Sequence, residues 1–355
     1  MEALIREWDG ESVTVRFDKP AEAWIFIAIH STRLGPAIGG TRMKAYPNVQ
    51  AALQDALRLA GGMTYKWAAA GFEAGGGKGV IAISEGLEPE ARVELLRRYG
   101  SFVHNHKGLF LTGPDLGTSS EDMDIIAETG NPYVFARTPA AGGAGNPGPF
   151  TALGVFTSIQ VTAERLFGDP TLGGKRVLIQ GVGSVGRELI KLLHQQGAEV
   201  LFSDVDEAVA AHVCSELGLQ CLIPDEVYDS PCDIFAPCAV GGVLNEKTIP
   251  RLRCRAVVGA ANNQLANPED ALRLRERGIL YAPDFIANSG GAIAIIGMET
   301  RGWSREEAEA KVTQTIKDNL SRIFELGETE GVDTDQAARR LADQRLAGTK
   351  HSDPT

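Results

Sequence analysis

Apolar positions over the first 138 residues follow two rhythms. Short β-branched and aromatic runs at Trp24–His30, Gly79–Ile83 and Gly108–Thr112 predict strands, while apolar residues spaced by three and four at Val49–Leu59 and Pro89–His104 predict helices lying on a sheet. That alternation predicts an α/β domain over 1–138. The stretch TPAAGGAGNPGPF, Thr138 to Phe150, sets glycine and proline among small residues and predicts a linker or hinge over 139–150. Beyond it the order is helix Thr151–Leu166, strand Arg176–Gln180, glycine turn, helix Val185–Leu193, strand Glu199–Ser203 and another helix. Strands at Ile234–Ala236 and Ala256–Gly259 continue the pattern, so 151–330 is expected to be a doubly wound sheet. The helix Arg305–Glu325 carries one apolar stripe, and Thr334–Ala347 is expected to be helical before a frayed tail, HSDPT. The pattern leaves open whether 331–355 returns to the first domain.

At 355 residues the chain has room for two domains, and 43% hydrophobic with 23% charged residues excludes a disordered chain. A net charge of -11, without a basic cluster, argues against a nucleic-acid partner. No apolar run approaches the roughly 18 residues that span a bilayer, and the amino terminus MEALIREWDGE is acidic where a secretory signal is basic. No membrane partner and a cytoplasmic location are expected. Cys214, Cys221, Cys232, Cys238 and Cys254 have neither CxxC nor Cys/His spacing, which predicts reduced, unpaired thiols and no metal site.

Candidate chemistry begins at the glycine turn. Gly181, Gly183 and Gly186 form GxGxxG between a strand and a helix, in the run Gly181, Val182, Gly183, Ser184, Val185, Gly186. The first glycine permits a tight turn, the second lets backbone approach a pyrophosphate, and the third lets helix and strand pack closely. Asp204, at the end of the next strand, suits two ribose hydroxyls and repels a 2′-phosphate, so NAD is expected over NADP. The competing reading of Asp204 is a helix cap.

In the first domain GGMTYKWAAAGFEAGGGKGVI embeds Lys66 and Lys78 in small and apolar residues. A buried ammonium near another cation loses proton affinity and can act as a base. The three glycines before Lys78 are expected to let backbone and substrate come close. In TGPDLGTSSEDMD, Asp115 lies in a loop shaped by Gly113, Pro114 and Gly117, whereas Asp122 and Asp124 read as cap or turn residues. His104 and His106 read as surface or packing residues.

The segments LGPAIGGTRM, GGMTYKWAAAGFEAGGGKGVI, TGPDLGT, QGVGSVG, FAPCAVGGVLN, VGAANNQLA and ILYAPDFIANSGGAI occur in this order over nearly the whole chain. Together they resemble the glutamate, leucine, valine and phenylalanine dehydrogenases, closest to the phenylalanine and leucine/valine branch. The resemblance implies NAD-dependent, reversible oxidative deamination of an L-amino acid to a 2-oxo acid and ammonia. It further implies that Lys66 binds the substrate carboxylate, Lys78 polarises the carbonyl and acts as base towards water, and Asp115 exchanges protons with the amino group. Gly39 and Met63 match pocket positions, Asn262 and Asn288 match asparagines near nicotinamide and substrate, and Thr151 matches a residue beside the nicotinamide amide. The active site is then expected in a cleft between the two domains, with the assembly a homo-oligomer.

The substrate side chain follows from two positions in that resemblance. Glutamate-specific members carry a lysine where this chain has Ile38 and a hydroxyl residue where it has Ile295, so a hydrophobic L-amino acid is expected. Gly113 and Ala292 are small and resemble phenylalanine dehydrogenases, while Ile38 and Ile295 pull towards an aliphatic chain. Phenylalanine is favoured, with leucine, valine or isoleucine close behind. Two other readings remain: a dehydrogenase of a hydroxy or oxo acid, and a non-catalytic NAD-binding protein on the same fold.

Overall fold

The computed structural model describes residues 2–348, and the expected frayed tail lies outside them. The chain forms two compact units. One comprises the chain through Asn146, Met298–Gly302 and the residues from Ala342 on; the other comprises Pro147–Gly297 and Trp303–Leu341.

The first unit runs α1 (Glu2–Glu7), β1 (Ser12–Asp18), β2 (Ala23–Ser31), β3 (Ala37–Lys44), α2 (Val49–Ala70), β4 (Gly75–Ala82), α3 (Pro89–His104), β5 (Phe110–Pro114) and α4 (Ser120–Gly130). Its sheet has the order β1-β2-β4-β3-β5, with β3 parallel to β4 and β5 and the β1–β2 and β2–β4 pairs antiparallel. Alternation along the strands sorts side chains to two faces. Phe26, Ala28 and Val80 pack with Ala52, Leu53 and Ala56 of α2, while Ile25, Ile27 and Ile81 pack with Leu95, Tyr99, Met123 and Ile126 of α3 and α4.

Two strands, β1 and β3, were not expected, and β4 starts earlier than its pattern predicts. The reason is the glycine run: Gly75, Gly76 and Gly77 are strand, not loop. A Cβ on Gly76 would fall 2.1 Å from Thr64 Oγ1 and 2.2 Å from the Thr64 nitrogen, and one on Gly79 would fall 2.1 Å from the Tyr99 hydroxyl. These glycines let α2 and α3 settle against the sheet backbone. The expectation that they admit substrate is corrected accordingly: it is protein that occupies the space.

The second unit runs α5 (Gly148–Phe167), β6 (Arg176–Gln180), α6 (Ser184–Gln195), β7 (Glu199–Ser203), α7 (Glu207–Leu217), β8 (Gln220–Cys221), β9 (Ile234–Pro237), β10 (Ala256–Val257), α8 (Glu269–Glu276), β11 (Leu280–Tyr281), α9 (Asp284–Ala287), α10 (Gly290–Arg301), α11 (Arg305–Thr329) and α12 (Thr334–Gly348). The ends of α10 and α12 belong to the first unit. The strand order β11-β10-β9-β6-β7-β8 is parallel throughout. Counted from β6 it reads 3-2-1-4-5-6 when reversed, the order of the doubly wound dinucleotide-binding fold.

The boundary between the two units, Asn146 to Pro147, falls inside the glycine- and proline-rich stretch read as a linker over 139–150. Residues 148–150 form the first turn of α5, where Pro149 suits the opening of a helix. Upstream, Asp124 accepts from the Thr138 nitrogen and hydroxyl at 2.9 and 2.6 Å, and Glu299 accepts from the Ala136 and Ala144 nitrogens at 2.9 and 2.8 Å. The part up to Asn146 is tied down within the first unit. Asp122 is the N3 residue of a capping box with Ser119, as its sequence reading predicts. His104 and His106 each place Nδ1 against a backbone carbonyl, which fits their packing role.

Candidate active site

In the first unit, three elements converge on the α2 face of the sheet. On β4, Gly76, Lys78 and Val80 share that face, and on β3 Ile38, Gly40 and Arg42 do so. Asp115 follows the end of β5 directly. Gly40 matters to this convergence, since a Cβ there would fall 2.5 Å from the Pro114 oxygen and 3.0 Å from the Asp115 Cβ. The missing side chain lets the Asp115 loop close onto β3.

The resulting cluster holds four charges in two pairs. Lys78 Nζ donates to Asp115 Oδ2 in a short contact, and Arg42 Nε donates to Asp115 Oδ1 at 2.9 Å. Arg42 also donates to Asp55 of α2 at 3.0 Å, and the Tyr46 hydroxyl donates to the same Asp55 oxygen at 2.7 Å. The Leu116 nitrogen adds a 2.6 Å hydrogen bond to Asp115 Oδ1. Lys78 is almost fully buried, at 3% side-chain exposure, against 12% for Asp115 and 13% for Arg42.

Burial pushes the proton affinity of Lys78 down; Asp115 opposes this, Arg42 adds to it, and the net direction is downward. Burial alone would raise the Asp115 carboxyl, but the Lys78 and Arg42 cations outweigh it and hold Asp115 well below the usual carboxylate range. The second cation beside Lys78 is therefore Arg42. The sequence reading quoted the GGTRM segment without singling Arg42 out, and it passed over Asp55 and Tyr46.

Lys66 is buried on α2, one helical turn beyond Met63 on the same helix face. The neighbouring Trp67 donates its indole N–H to the Ile38 oxygen at 2.9 Å, tying that turn of α2 to β3. Gly39 has no room for a side chain, as its Cβ would fall 1.7 Å from the Gly77 oxygen. Gly113 differs: a Cβ there would meet only the Phe135 oxygen, at 3.7 Å.

In the second unit the glycine turn joins β6 to α6. Gly181 has φ +96, and a Cβ on it would fall 2.6 Å from that of Ala239; a Cβ on Gly186 would fall 2.2 Å from the Gly181 oxygen. Gly183 caps α6 and has nothing within 4 Å of a notional Cβ, leaving open space beside exposed backbone at a helix amino terminus. Ser184 and Val185 form the first turn of α6. This is a cradle into which a pyrophosphate fits.

Asp204 accepts from the Val182 nitrogen at 2.8 Å and from the Asp206 nitrogen at 3.0 Å, so it braces the turn. The cap of α7 is Asp206, which accepts from Ala208 and Val209. The helix-cap reading of Asp204 therefore gives way.

Asn288 is buried and donates to Asn262 Oδ1 at 2.9 Å and to the Ala260 oxygen at 3.0 Å, so the two asparagines are joined. Thr151 lies in the first turn of α5, its hydroxyl bonded to the Pro147 oxygen. Ala292 and Ile295 stand one turn apart on α10, with Ile295 buried. All five cysteines are free. Among the described residues no cluster of His, Cys, Asp or Glu is arranged to hold a metal ion, and no helix is long and apolar enough to cross a membrane.

Comparison with known proteins agrees with this division of parts. Residues 14–131 match the Glu/Leu/Phe/Val dehydrogenase dimerisation domain, and residues 142–220 and 203–353 match the Glutamate/Leucine/Phenylalanine/Valine dehydrogenase domain. The chain is 42% identical over 342 residues to a leucine dehydrogenase of Thermoactinomyces intermedius, covering 96% of this chain and 92% of that one. It is 41% identical over 341 residues to a valine dehydrogenase of Streptomyces albus, covering 95% and 92%. The crystal structure of L-tryptophan dehydrogenase from Nostoc punctiforme superposes with a TM-score of 0.77 at 41% identity, covering 98% of both chains. With a doubly wound sheet, a glycine cradle and a buried lysine–aspartate pair behind that likeness, the chain belongs to the glutamate/leucine/phenylalanine/valine dehydrogenase family of amino acid oxidoreductases.

Proposed function

We propose that this protein catalyses the reversible, NAD-dependent oxidative deamination of a hydrophobic L-amino acid, phenylalanine first and leucine, valine or isoleucine next, to its 2-oxo acid and ammonia. The observation that carries the reading is the buried Lys78–Asp115 pair. Lys66, a cation buried among small residues, takes the substrate carboxylate. Asp115 enters the reaction ionised, so it accepts a proton from the substrate amine. Loss of a hydride from Cα, for which bound NAD would be the acceptor, leaves an iminium, and Lys78, its proton affinity lowered by burial, takes a proton from the water that attacks the iminium carbon. Asp115 returns its proton to the nitrogen as the C–N bond breaks, ammonia leaves, and the 2-oxo acid remains.

Bound NAD would supply the two-electron acceptor. Gly181 through Gly186 would hold its pyrophosphate, Asp204 its ribose hydroxyls, and Thr151 and Asn262 its nicotinamide end. The stretch SDVDEAV after β7 offers no arginine for a 2′-phosphate.

Ile38 in place of a cation supports an apolar side-chain pocket, because an unpaired carboxylate against it would be costly. The open side of Gly113 and the small Ala292 support room for a ring. Relatives named for leucine, valine and tryptophan span both shapes, so the choice rests on these positions. Met63, Gly39, Ile295 and Asn288 would complete the substrate's surroundings. We read the protein as a cytoplasmic homo-oligomer, in keeping with its free thiols and with the match to a dimerisation domain.

The test is reduction of NAD and of NADP with L-phenylalanine, L-leucine, L-valine and L-glutamate. The expected outcome is the highest catalytic efficiency for a hydrophobic amino acid with NAD. A preference for glutamate would overturn the apolar pocket, and equal efficiency with NADP would overturn the role given to Asp204.

A further inference from the structure

Arg42 is placed where it touches the reacting carboxylate but reaches past it to a second one. Its Nε holds Asp115 Oδ1 at 2.9 Å while its terminal nitrogen holds Asp55 Oδ2 at 3.0 Å. Asp55 is itself fixed by the Tyr46 hydroxyl at 2.7 Å and approached by Arg58 at 3.5 Å. Arg42, Asp55 and Asp115 are all close to 12% exposed, so solvent does little to share this work. The planar guanidinium is suited to a double grip in fixed directions, which a lysine ammonium on its flexible stem cannot reproduce.

We propose that Arg42 is a positioning residue for the reaction, gripping Asp115 Oδ1 from an anchor on Asp55 and so presenting Oδ2 to Lys78. The inference rests on the reading of Lys78 and Asp115 as the catalytic pair. Oδ1 is then saturated by Arg42 and the Leu116 nitrogen, and Oδ2 is the oxygen left to Lys78 and to the amino group of a substrate. The grip spans three elements: β3 supplies Arg42, α2 supplies Asp55, and the turn after β5 supplies Asp115. Asp55 and Arg42 thus link the helix that carries Lys66 to the loop that carries Asp115.

The same arrangement gives Arg42 a second, electrical effect. The charged groups around Lys78 are Asp115 after β5, Arg42 on β3 and Asp55 on α2, with Tyr46 and Arg58 grouped about Asp55. Helix α2 also carries Lys66, three turns beyond Asp55. Arg42 disfavours the protonated form of Lys78, and Asp55 favours it. Loss of Arg42 lets Lys78 keep its proton to higher pH, and loss of Asp55 does the reverse.

The experiment measures kcat, KM and the pH dependence of kcat/KM for deamination of the best amino acid in the panel, using Arg42→Gln, Arg42→Lys, Asp55→Asn and Lys78→Ala. Arg42→Gln is expected to lose about ten-fold or more in kcat, with KM less affected and the acid limb of the profile moved to higher pH. Arg42→Lys, which keeps the charge without the fork, is expected to hold the limb near its wild-type position with kcat still lowered. Asp55→Asn is expected to move the limb to lower pH.

A lowered melting temperature in Arg42→Gln with kcat and limb unchanged would reduce Arg42 to structural support and overturn the proposal. If Arg42→Gln fails to fold, unaltered kcat in Arg42→Lys or an unmoved limb in Asp55→Asn overturns it instead. An inactive Lys78→Ala beside an unaffected Arg42→Gln would sink this inference alone, whereas an active Lys78→Ala would remove the catalytic pair and the inference with it.

Discussion

Between Lys78 and Arg42 the charge of Asp115 cannot be removed by substitution without leaving a buried cation less compensated. Asp115→Asn keeps the shape and loses the charge, so turnover should fall by about 10²–10⁴-fold. Stability should fall too, by about 3–5 kcal/mol at most, because one member of a buried pair is left uncompensated. Turnover per folded molecule and a urea titration separate the two effects. If only KM for the amino acid changes, Asp115 anchors the substrate and transfers no proton. Lys78→Ala leaves Asp115 paired with Arg42, so its stability should suffer less while turnover drops by several orders of magnitude. Fluorescence titration should show NAD binding intact in that variant, since the glycine cradle belongs to the other unit. The burial of Lys66 and Lys78 was legible because a charge among glycines and alanines contradicts an ordinary solvated face. Arg42 was not, because an arginine between Thr41 and Met43 reads like any strand residue facing water. Only the alternation of β3, with Ala37, Gly39, Thr41 and Met43 on one face and Ile38, Gly40 and Arg42 on the other, places it inside.

At the scale of elements, the close approach of α2 to β4 decides where Lys66 and Asp55 lie. Gly76→Ala would put a methyl within 2.2 Å of the Thr64 nitrogen and 2.6 Å of the Ala60 oxygen, and these are backbone atoms of the helix. The helix must move. A loss of about 1–3 kcal/mol is expected from that overpacking, together with a lower kcat/KM for the amino acid. Gly62→Ala is the companion measurement: the site is in the same helix with nothing within 4 Å, so stability should rise by up to about 1 kcal/mol. Equal stability of the two variants in denaturant would contradict the packing argument. The succession β6, glycine turn, α6, β7 was legible almost to the residue, because a buried parallel strand is a continuous apolar run and the fingerprint punctuates it. Strands β1 and β3 were hidden for opposite reasons. The first is an edge strand with most side chains exposed, and the second spends half its positions on glycine, threonine and arginine. Glycines inside a strand also look like a loop, which is why β4 seemed to begin at Gly79.

For the molecule as a whole, the last helix has to be assigned to a core, and sequence periodicity cannot do that: an amphipathic stripe shows that a face is buried without naming what buries it. The structure divides α12, with Thr334–Leu341 in the second unit and the residues from Ala342 in the first. The contact that gives this return a consequence is Arg345, which donates to the Ala68 oxygen at 3.1 Å and to the Ala69 oxygen in a shorter bond. Both carbonyls lie in the last turn of α2, just before Gly71 ends the helix at φ 71. The Ala68 oxygen also accepts from the Gly71 nitrogen at 3.2 Å, and a guanidinium at this end adds charge-assisted hydrogen bonds and complements the negative end of the helix dipole. Arg345→Ala should therefore lower stability by about 1–2 kcal/mol, in the range of hydrogen bonds to a charged group. Amide hydrogen exchange should quicken in the last turns of α2, around Lys66, while α6 and its glycine turn exchange as before. The amino acid's kcat/KM should fall with NAD affinity unchanged, and removal of the chain after Leu341 should produce the same pattern more strongly. Unchanged exchange in α2 on that truncation would show that the helix carrying Lys66 holds its position without the returning segment.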